Sequence, residues 1–310
     1  MLEKVSVVIT TVNRENELIR AIKSVLNQTY TNIEIIVVID GTNNKIKNKI
    51  ENIFENKPIK LYETKIKLGG NAARNFGIKK SNGKYIALLD DDDEWHKEKI
   101  EKQIECYKKQ NEKSVIFCSV IDFKSDTSKK IRPNVKYNSK DTIENYLFKY
   151  SFGKSIGFIQ TSTLFSEKKI FIDIPFDETL RKHQDWDWVI RASHLNIKFV
   201  HIAIPLVIYH NESNENRVGN ASNYLNTLFW ANKISTIVSK NIYDRILYSI
   251  AIPTLLKDES IAKNERKKII KKIEKKINIR SRISVDYILY YLYRSNFLRF
   301  LKRKLTNKFL

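Results

Sequence analysis

The chain has 310 residues, 42% of them hydrophobic, with 15 Phe, 15 Tyr, 8 Gly and 5 Pro. That composition supplies a packed core and excludes a disordered or collagen-like chain. The net charge is +21, and residues 261–310 carry 16 Lys and Arg against the three acids Glu265, Glu274 and Asp286. The two cysteines, Cys106 and Cys118, form no CxxC or Cys/His cluster. A disulfide scaffold and a zinc module are therefore excluded, and reduced thiols in a cytosolic protein are expected.

Residues 5–10 read as a first β-strand, with no signal peptide expected before it. Residues 14–27 place Leu18, Ala21, Ile22, Val25 and Leu26 at helical spacing, with Asn13 as the expected N-cap. A second buried strand, 34–39, ends at Asp40-Gly41. A helix over 45–55, a strand over 59–63 and a helix over 71–79 follow. Then come a strand over 85–89, a helix over 97–110 and a strand over 115–120. Such alternation predicts an α/β fold with a mainly parallel central sheet flanked by helices. Further on, the pattern predicts a helix over 142–149, a Gly-bearing loop over 152–157 and a strand through 163–165. A helix over 184–194 and strands near 198–202 and 206–209 come next. From Tyr224 the chain is helical in pattern. Its longest apolar run, 246–256, contains Pro253 and is too short to span a bilayer.

Ligands bind parallel sheets at the carboxyl ends of their strands. Three such ends are polar here: Thr11 with Asn13, Arg14 and Glu15; Asp40; and the run Asp90, Asp91, Asp92 and Asp93. Four acids at the end of a buried strand repel one another, and a divalent cation would relieve them. In an extended chain Asp90 and Asp92 point the same way and can share one ligand. The other reading is a solvated acidic turn before the next helix. Asp40 is suited to accept the N3–H of a uracil ring, or to serve as a turn residue. In the stretch from Gly69 to Gly77, Arg74 is suited to face a diphosphate. No P-loop or GxGxxG is present, which disfavours the usual ATP and NAD sites.

A second cluster, His183 to Trp188, opens the helix over 184–194. Asp185 there either complements the helix dipole or, desolvated by apolar neighbours, acts as a base. Asp187 and Arg191, four apart, suit a structural ion pair. His210 ends a strand and is a candidate metal ligand or a packing residue.

VSVVITTVNRENELIRAIKSVLNQTY, EIIVVIDGT, GGNAARNFGI, GKYIALLDDDDEW and HQDWDWVIRA together resemble the successive motifs of family 2 of the nucleotide-sugar glycosyltransferases, over about residues 4–210. The resemblance implies the GT-A fold, with a Rossmann-like nucleotide half (1–120) and an acceptor half (121–220). It implies a nucleoside-diphosphate sugar donor, usually UDP-linked, with Mn2+ or Mg2+, and inversion at the anomeric carbon. Carried over by position, Thr11, Asn13, Arg14 and Glu15 line the nucleotide pocket, Asp40 holds the base, and Asn71 and Arg74 sit near the nucleotide. Asp90 and Asp92 are the DxD pair around Asp91, with His210 a further candidate for the metal. Asp185 is the catalytic base, with Trp186 and His183 on the acceptor side; its neighbours Trp186 and Trp188 are expected to exclude water and form a sugar-stacking wall. The chain departs from the family's usual Pro-Thr-Tyr-Asn at Thr10 to Asn13, from a second acid at Ile39 and from Glu at Gln184.

The implied acceptor is a growing bacterial surface glycan on a lipid carrier. The basic helical region 221–310 is expected either to touch an anionic membrane surface or to cap the catalytic domain. Its apolar side would be Tyr287, Ile288, Tyr291, Leu292, Leu298, Leu301 and Leu305. The expected place is the cytoplasm, peripheral on the inner face of the plasma membrane, with no nucleic-acid partner. Rival readings are a metal-dependent nucleotidyl or sugar-nucleotide transferase and a non-enzymatic protein whose tail binds nucleic acid. The first leaves the second acidic cluster without a task.

Overall fold

The computed structural model describes residues 2–125, 128–148, 150–151, 154–155, 157–211, 224–285, 287–288 and 291. In chain order, β1 (Val5–Thr11), α1 (Glu15–Leu26), β2 (Ile33–Ile39), α2 (Asn44–Ile53), β3 (Ile59–Glu63), α3 (Gly70–Lys80) and β4 (Tyr85–Asp90) form the first run. β5 (Glu94–Trp95), α4 (Lys99–Lys108), β6 (Ser114–Ser125) and β7 (Ser128–Arg132) continue it. Next come α5 (Ile143–Phe148), β8 (Tyr150–Ser151), β9 (Lys154–Ser155), β10 (Phe165–Glu167), α6 (Lys168–Asp173), α7 (Gln184–His194) and β11 (Lys198–His210). The described helices end with α8 (Tyr224–Ile234), α9 (Lys240–Ile246), α10 (Ile252–Lys257), α11 (Lys263–Lys276) and α12 (Ile279–Arg282).

Nine of these strands share one sheet in the order β3-β2-β1-β4-β10-β6-β11-β5, with β7 paired to β6. The strands from β3 to β4 run parallel, as do β6 and β11, while β10 is antiparallel to both β4 and β6. β1, β2 and β4 are buried almost end to end, which is why they read as unbroken apolar runs. Their register fixes the site. Thr10 lies opposite Asp90, and Thr11 opposite Ile39 just before Asp40, so three polar strand ends fall on one edge. α3 packs close against this sheet because Gly77 has no side chain: a Cβ there would lie 2.6 Å from Val8 Cγ1. The loop into α3 turns at Gly69, whose φ of +92° suits glycine.

The chain divides into two compact units, 1–143 with 158–215, and 144–157 with 216–310. The first holds the sheet and its apolar core. The second has its own core around Leu247, Tyr248, Ile252, Leu255, Ile270 and Ile273, with Tyr287 and Tyr291 packed on it. The apolar run predicted at 246–256 lies inside this core as a π-helical turn, Leu247–Ala251, leading into α10. No described helix is long and apolar enough to cross a membrane. Leu292, Leu298, Leu301 and Leu305 lie outside the described residues, as does half of the predicted 152–157 loop.

Several local expectations are corrected. The N-cap of α1 is Arg14, not Asn13, and no side chain caps it; the Arg14 guanidinium is held by Asp91 and Asp92 instead. The strand predicted through 163–165 begins only at Phe165, as β10; a 3-10 turn, Thr161–Thr163, precedes it, because the Gln160 side chain accepts the Ser162 amide and closes a turn. The two strands predicted at 198–202 and 206–209 are one, β11, whose register shifts on either side of Pro205. Both cysteines are free.

Candidate active site

The acid run is held in place by groups of the chain itself. Thr11, at the end of β1, donates from its hydroxyl to Asp91 Oδ2 at 2.6 Å. Arg14 Nη1 reaches Asp91 Oδ1 at 3.0 Å and Asp92 Oδ2 at 2.8 Å. Arg74 Nη2 meets Asp90 Oδ1 at 3.0 Å, while Gln160 Nε2 meets Asp90 Oδ2 at 2.9 Å. Asp93 is fully buried and takes bonds from Gln160 Nε2 at 2.8 Å, Ser162 Oγ at 2.6 Å and the His210 amide at 3.3 Å. Burial pushes all three of Asp90, Asp91 and Asp93 upward. Asp91 reaches about 7, with Arg14 and Thr11 pulling it back. Asp93 lies well above the ordinary range because Asp92 and Asp90 add to its burial.

The flanking residues are placed as follows. Asp40 is buried and accepts the amides of Leu68 at 2.6 Å and Gly69 at 2.9 Å, so it shapes the loop into α3. Glu15 pairs with Lys49 of α2, and Asn13 is exposed. Asn71 Oδ1 accepts from Arg74 Nη1 at 3.2 Å, and Asn71 Nδ2 donates to the Asp177 carbonyl at 2.6 Å. The Arg74 guanidinium lies 4.9 Å from the Phe176 ring centre. Asn75 is bonded to the amide and carbonyl of Phe176, so α3 carries the 176–180 segment that leads to α7.

His183 precedes α7 with a left-handed φ of 62°, and its ring stacks on Trp186 at 5.0 Å. Burial and Lys182 drive the His183 imidazole down to about 3, so it is neutral at physiological pH. Asp185 lies in the first turn of α7, half-buried. Burial lifts its carboxyl to about 6; the Trp186 amide pulls it down, Asp90 raises it further and Arg74 counters that. Asp185 and Asp90, 95 positions apart in the chain, therefore stand in one electrostatic neighbourhood. Trp188 is corrected: it is fully buried, stacked on Phe171 at 4.7 Å and Phe176 at 5.5 Å, and forms no part of a sugar wall. The Asp187–Arg191 pair forms at 2.7 Å.

His210 Nε2 is 2.7 Å from Glu94 Oε1, and its ring packs edge-on against Phe123. Among the described residues no three His, Cys, Asp or Glu side chains converge as a metal-holding group. A cation at the acid run would rest on Asp90 and Asp92, whose side chains are 28% and 14% exposed. One or two carboxylates completed by substrate phosphates and water is an arrangement that suits Mg2+, so this donor set fits. A cavity of about 450 Å³ between α1 and β5, lined by Asn16, Arg20, Lys23, Asn27, Glu94 and Trp95, contains none of the crevice acids. Volume alone does not mark the site.

Three organisers escaped the sequence reading: Gln160, Ser162 and Arg20. Arg20 donates to the Asp92 carbonyl at 2.7 Å and pairs with Glu94 at 3.3 Å. Arg20 lies six residues after Arg14, a spacing that does not place the two on one helix face, and Gln160 and Ser162 likewise carry no periodic signal.

Residues 6–174 match the family described as Glycosyl transferase family 2. The chain belongs to that family. It is 31% identical over 255 residues to the amylovoran biosynthesis glycosyltransferase AmsB of Erwinia amylovora, covering 80% of this chain and 83% of that one. Its fold is that of the GT-A glycosyltransferases. The S. aureus protein TarS (residues 1–349), solved with UDP-GlcNAc, superposes with a TM-score of 0.67 at 14% identity over 96% of this chain and 92% of TarS. The mannosyltransferase PcManGT of Pyrobaculum calidifontis, solved with GDP-Man and Mn2+, gives a TM-score of 0.57 at 11% identity, covering 96% and 87%. The family 2 chain is thus an enzyme that transfers a sugar.

Proposed function

We propose that the chain is an inverting glycosyltransferase that moves a sugar from a UDP-linked donor to a hydroxyl of a growing bacterial surface glycan. The observation that carries this reading is the half-buried Asp185, lifted to about 6 within the field of Asp90 and Arg74. A base and a nucleotide-phosphate site with separate carboxylates then share one crevice. The UDP-GlcNAc bound to TarS supports the donor class, and the amylovoran role in the name of AmsB supports the acceptor class.

In this mechanism Thr11, Asn13, Arg14, Glu15 and Asp40 border the nucleotide, and Asn71 and Arg74 orient the diphosphate. Asp90 and Asp92 would hold Mn2+ or Mg2+, which would neutralise the diphosphate leaving group as a Lewis acid. Asp185 takes the proton of the acceptor hydroxyl as that oxygen bonds to C1. The bond from C1 to the diphosphate oxygen breaks on the opposite face, and its electron pair leaves with UDP. One displacement inverts the anomeric carbon and needs no covalent intermediate. Trp186, stacked on the neutral His183, offers the acceptor sugar a ring face beside the base. We place catalysis in residues 1–220 and assign the basic helices of 221–310 to an anionic membrane surface.

The test is UDP release from a panel of UDP-sugars with Mn2+ and a lipid-linked glycan acceptor. Release that requires both acceptor and Mn2+, and that is lost in Asp92→Asn while the variant stays folded, is the expected result. UDP release from no donor in the panel, or full activity of Asp92→Asn, would reject the assignment.

A further inference from the structure

Each acid of the run has its partner within the chain. Asp90 has Arg74, Asp93 has Gln160 and Ser162, and Asp91 and Asp92 share one nitrogen. Arg14 Nη1 lies 3.0 Å from Asp91 Oδ1 and 2.8 Å from Asp92 Oδ2. A positive centre thus already rests on Asp92 Oδ2, an oxygen of one of the two carboxylates, Asp90 and Asp92, on which a cation would rest. The two crevice arginines are not equally fixed. Arg74 is 8% exposed and wedged between Asn71, Asp90 and the Phe176 ring. The Arg14 side chain is 21% exposed and sits at the start of α1.

We infer that Arg14 is an internal counter-ion that a divalent cation displaces from Asp92, and that it thereby couples cation binding to nucleotide binding. The inference rests on the reading of Asp92 as a metal-holding carboxylate. Two positive centres on one carboxylate oxygen repel, so a cation alone binds against Arg14. A donor diphosphate changes that balance. It offers the displaced guanidinium a planar, two-oxygen partner, a geometry to which arginine is suited. The nucleotide then raises cation affinity, and by linkage the cation raises nucleotide affinity by the same factor.

The experiment titrates Mn2+ into the full chain with and without UDP and reads free Mn2+ by electron paramagnetic resonance, for the parent and for Arg14→Gln. Glutamine keeps a hydrogen-bond donor and removes the charge. Arg14→Gln is expected to bind Mn2+ alone about tenfold more tightly, the equivalent of one exposed-to-half-buried ion pair. The factor by which UDP tightens Mn2+ binding should fall correspondingly. Equal Mn2+ affinity in both proteins, with UDP tightening both alike, overturns the role of Arg14 and leaves the metal reading intact. No Mn2+ binding to the parent even with saturating UDP removes the metal reading, and this inference with it. Should Arg14→Gln fail to fold, the Nε–Hε signal of Arg14 in the parent decides. It should move when Mg2+ and UDP are added together, and an unmoved signal at saturation overturns the proposal.

Discussion

Arg191 Nε donates to Asp187 Oδ2 at 2.7 Å, one turn along α7, and this bond takes Asp187 out of contention as the base. Asp187 is 2% exposed and spent on its partner. Asp185, two residues earlier, lies on a different face of the same helix and feels Asp90 and Arg74. The two acids are expected to fail differently. Asp185→Asn should keep the fold and UDP binding and lose turnover by about 10²-fold or more, the range for a positioned general base. Asp187→Asn should leave the partly exposed Arg191 guanidinium without its counter-charge and cost about 1–3 kcal/mol of stability. Urea denaturation and steady-state rates on both variants check this. A folded, inactive Asp187→Asn beside a fully active Asp185→Asn would reverse the assignment.

The same carboxyl gives a pH dependence. Asp185 must be ionised to accept a proton, and burial holds it near 6. The kcat/KM of the free enzyme should therefore rise with pH through about 6 and level off above it. Stability runs the other way. A carboxyl raised in the folded state contributes stability below its unfolded value, and that contribution is lost as pH rises through about 6. Asp185→Asn should accordingly raise the Tm at pH 8 and leave it unchanged at pH 4. Thermal melts at the two values test the sign: an equal shift at both would show that the gain is unrelated to the ionised carboxylate.

Much of this frame is legible in the sequence because its causes are local. Parallel strands buried on both faces become apolar runs, and Gln184–His194 forms the helix predicted from its periodicity. The two tryptophans were separable in principle. Positions two apart on a helix point about 200° apart, so Trp186 and Trp188 cannot face one crevice together. Trp188 goes to the core, as the Phe171 and Phe176 stack demands. Gln160 and Ser162 are of another kind. They meet Asp93 across 67 and 69 positions, through a turn whose shape depends on the Gln160 side chain. Nothing periodic marks such residues, because their role exists only once β4 and β10 have paired.

Ser162 therefore offers a test of the acid run's support. Its hydroxyl donates to Asp93 Oδ2 and accepts the Asp90 amide at 3.0 Å. Ser162→Ala strips a fully buried carboxylate of one donor and leaves an amide without its acceptor. The expected cost is about 1–3 kcal/mol, by urea denaturation. Because the same bonds fix the backbone at Asp90, UDP affinity should fall as well. A Ser162→Ala protein with parent stability and parent UDP affinity would show that the run is held without the Ser162 hydroxyl.

The membrane proposal has a specific surface to examine. Tyr287 and Tyr291 of the expected apolar side pack on the core of the helical unit. What stays exposed is Ile279 at 67%, Ile283 at 68%, Val285 at 71% and Ile288 at 46%. Lys275, Lys276, Arg280 and Arg282 stand among or just before them in the chain. Exposed apolar side chains interleaved with cations are what an anionic lipid interface selects, at about 1 kcal/mol per basic residue near the surface. The full chain should float with vesicles containing anionic lipid and stay behind with neutral ones. Ile279→Ser with Ile283→Ser should cut recovery several-fold without altering donor binding, since neither residue belongs to the crevice. Added salt should weaken flotation, because the charge contribution is screened within a Debye length of roughly 8 Å at physiological strength. Equal recovery with neutral and anionic vesicles would remove the electrostatic part of the proposal, and recovery with neither would remove the whole of it.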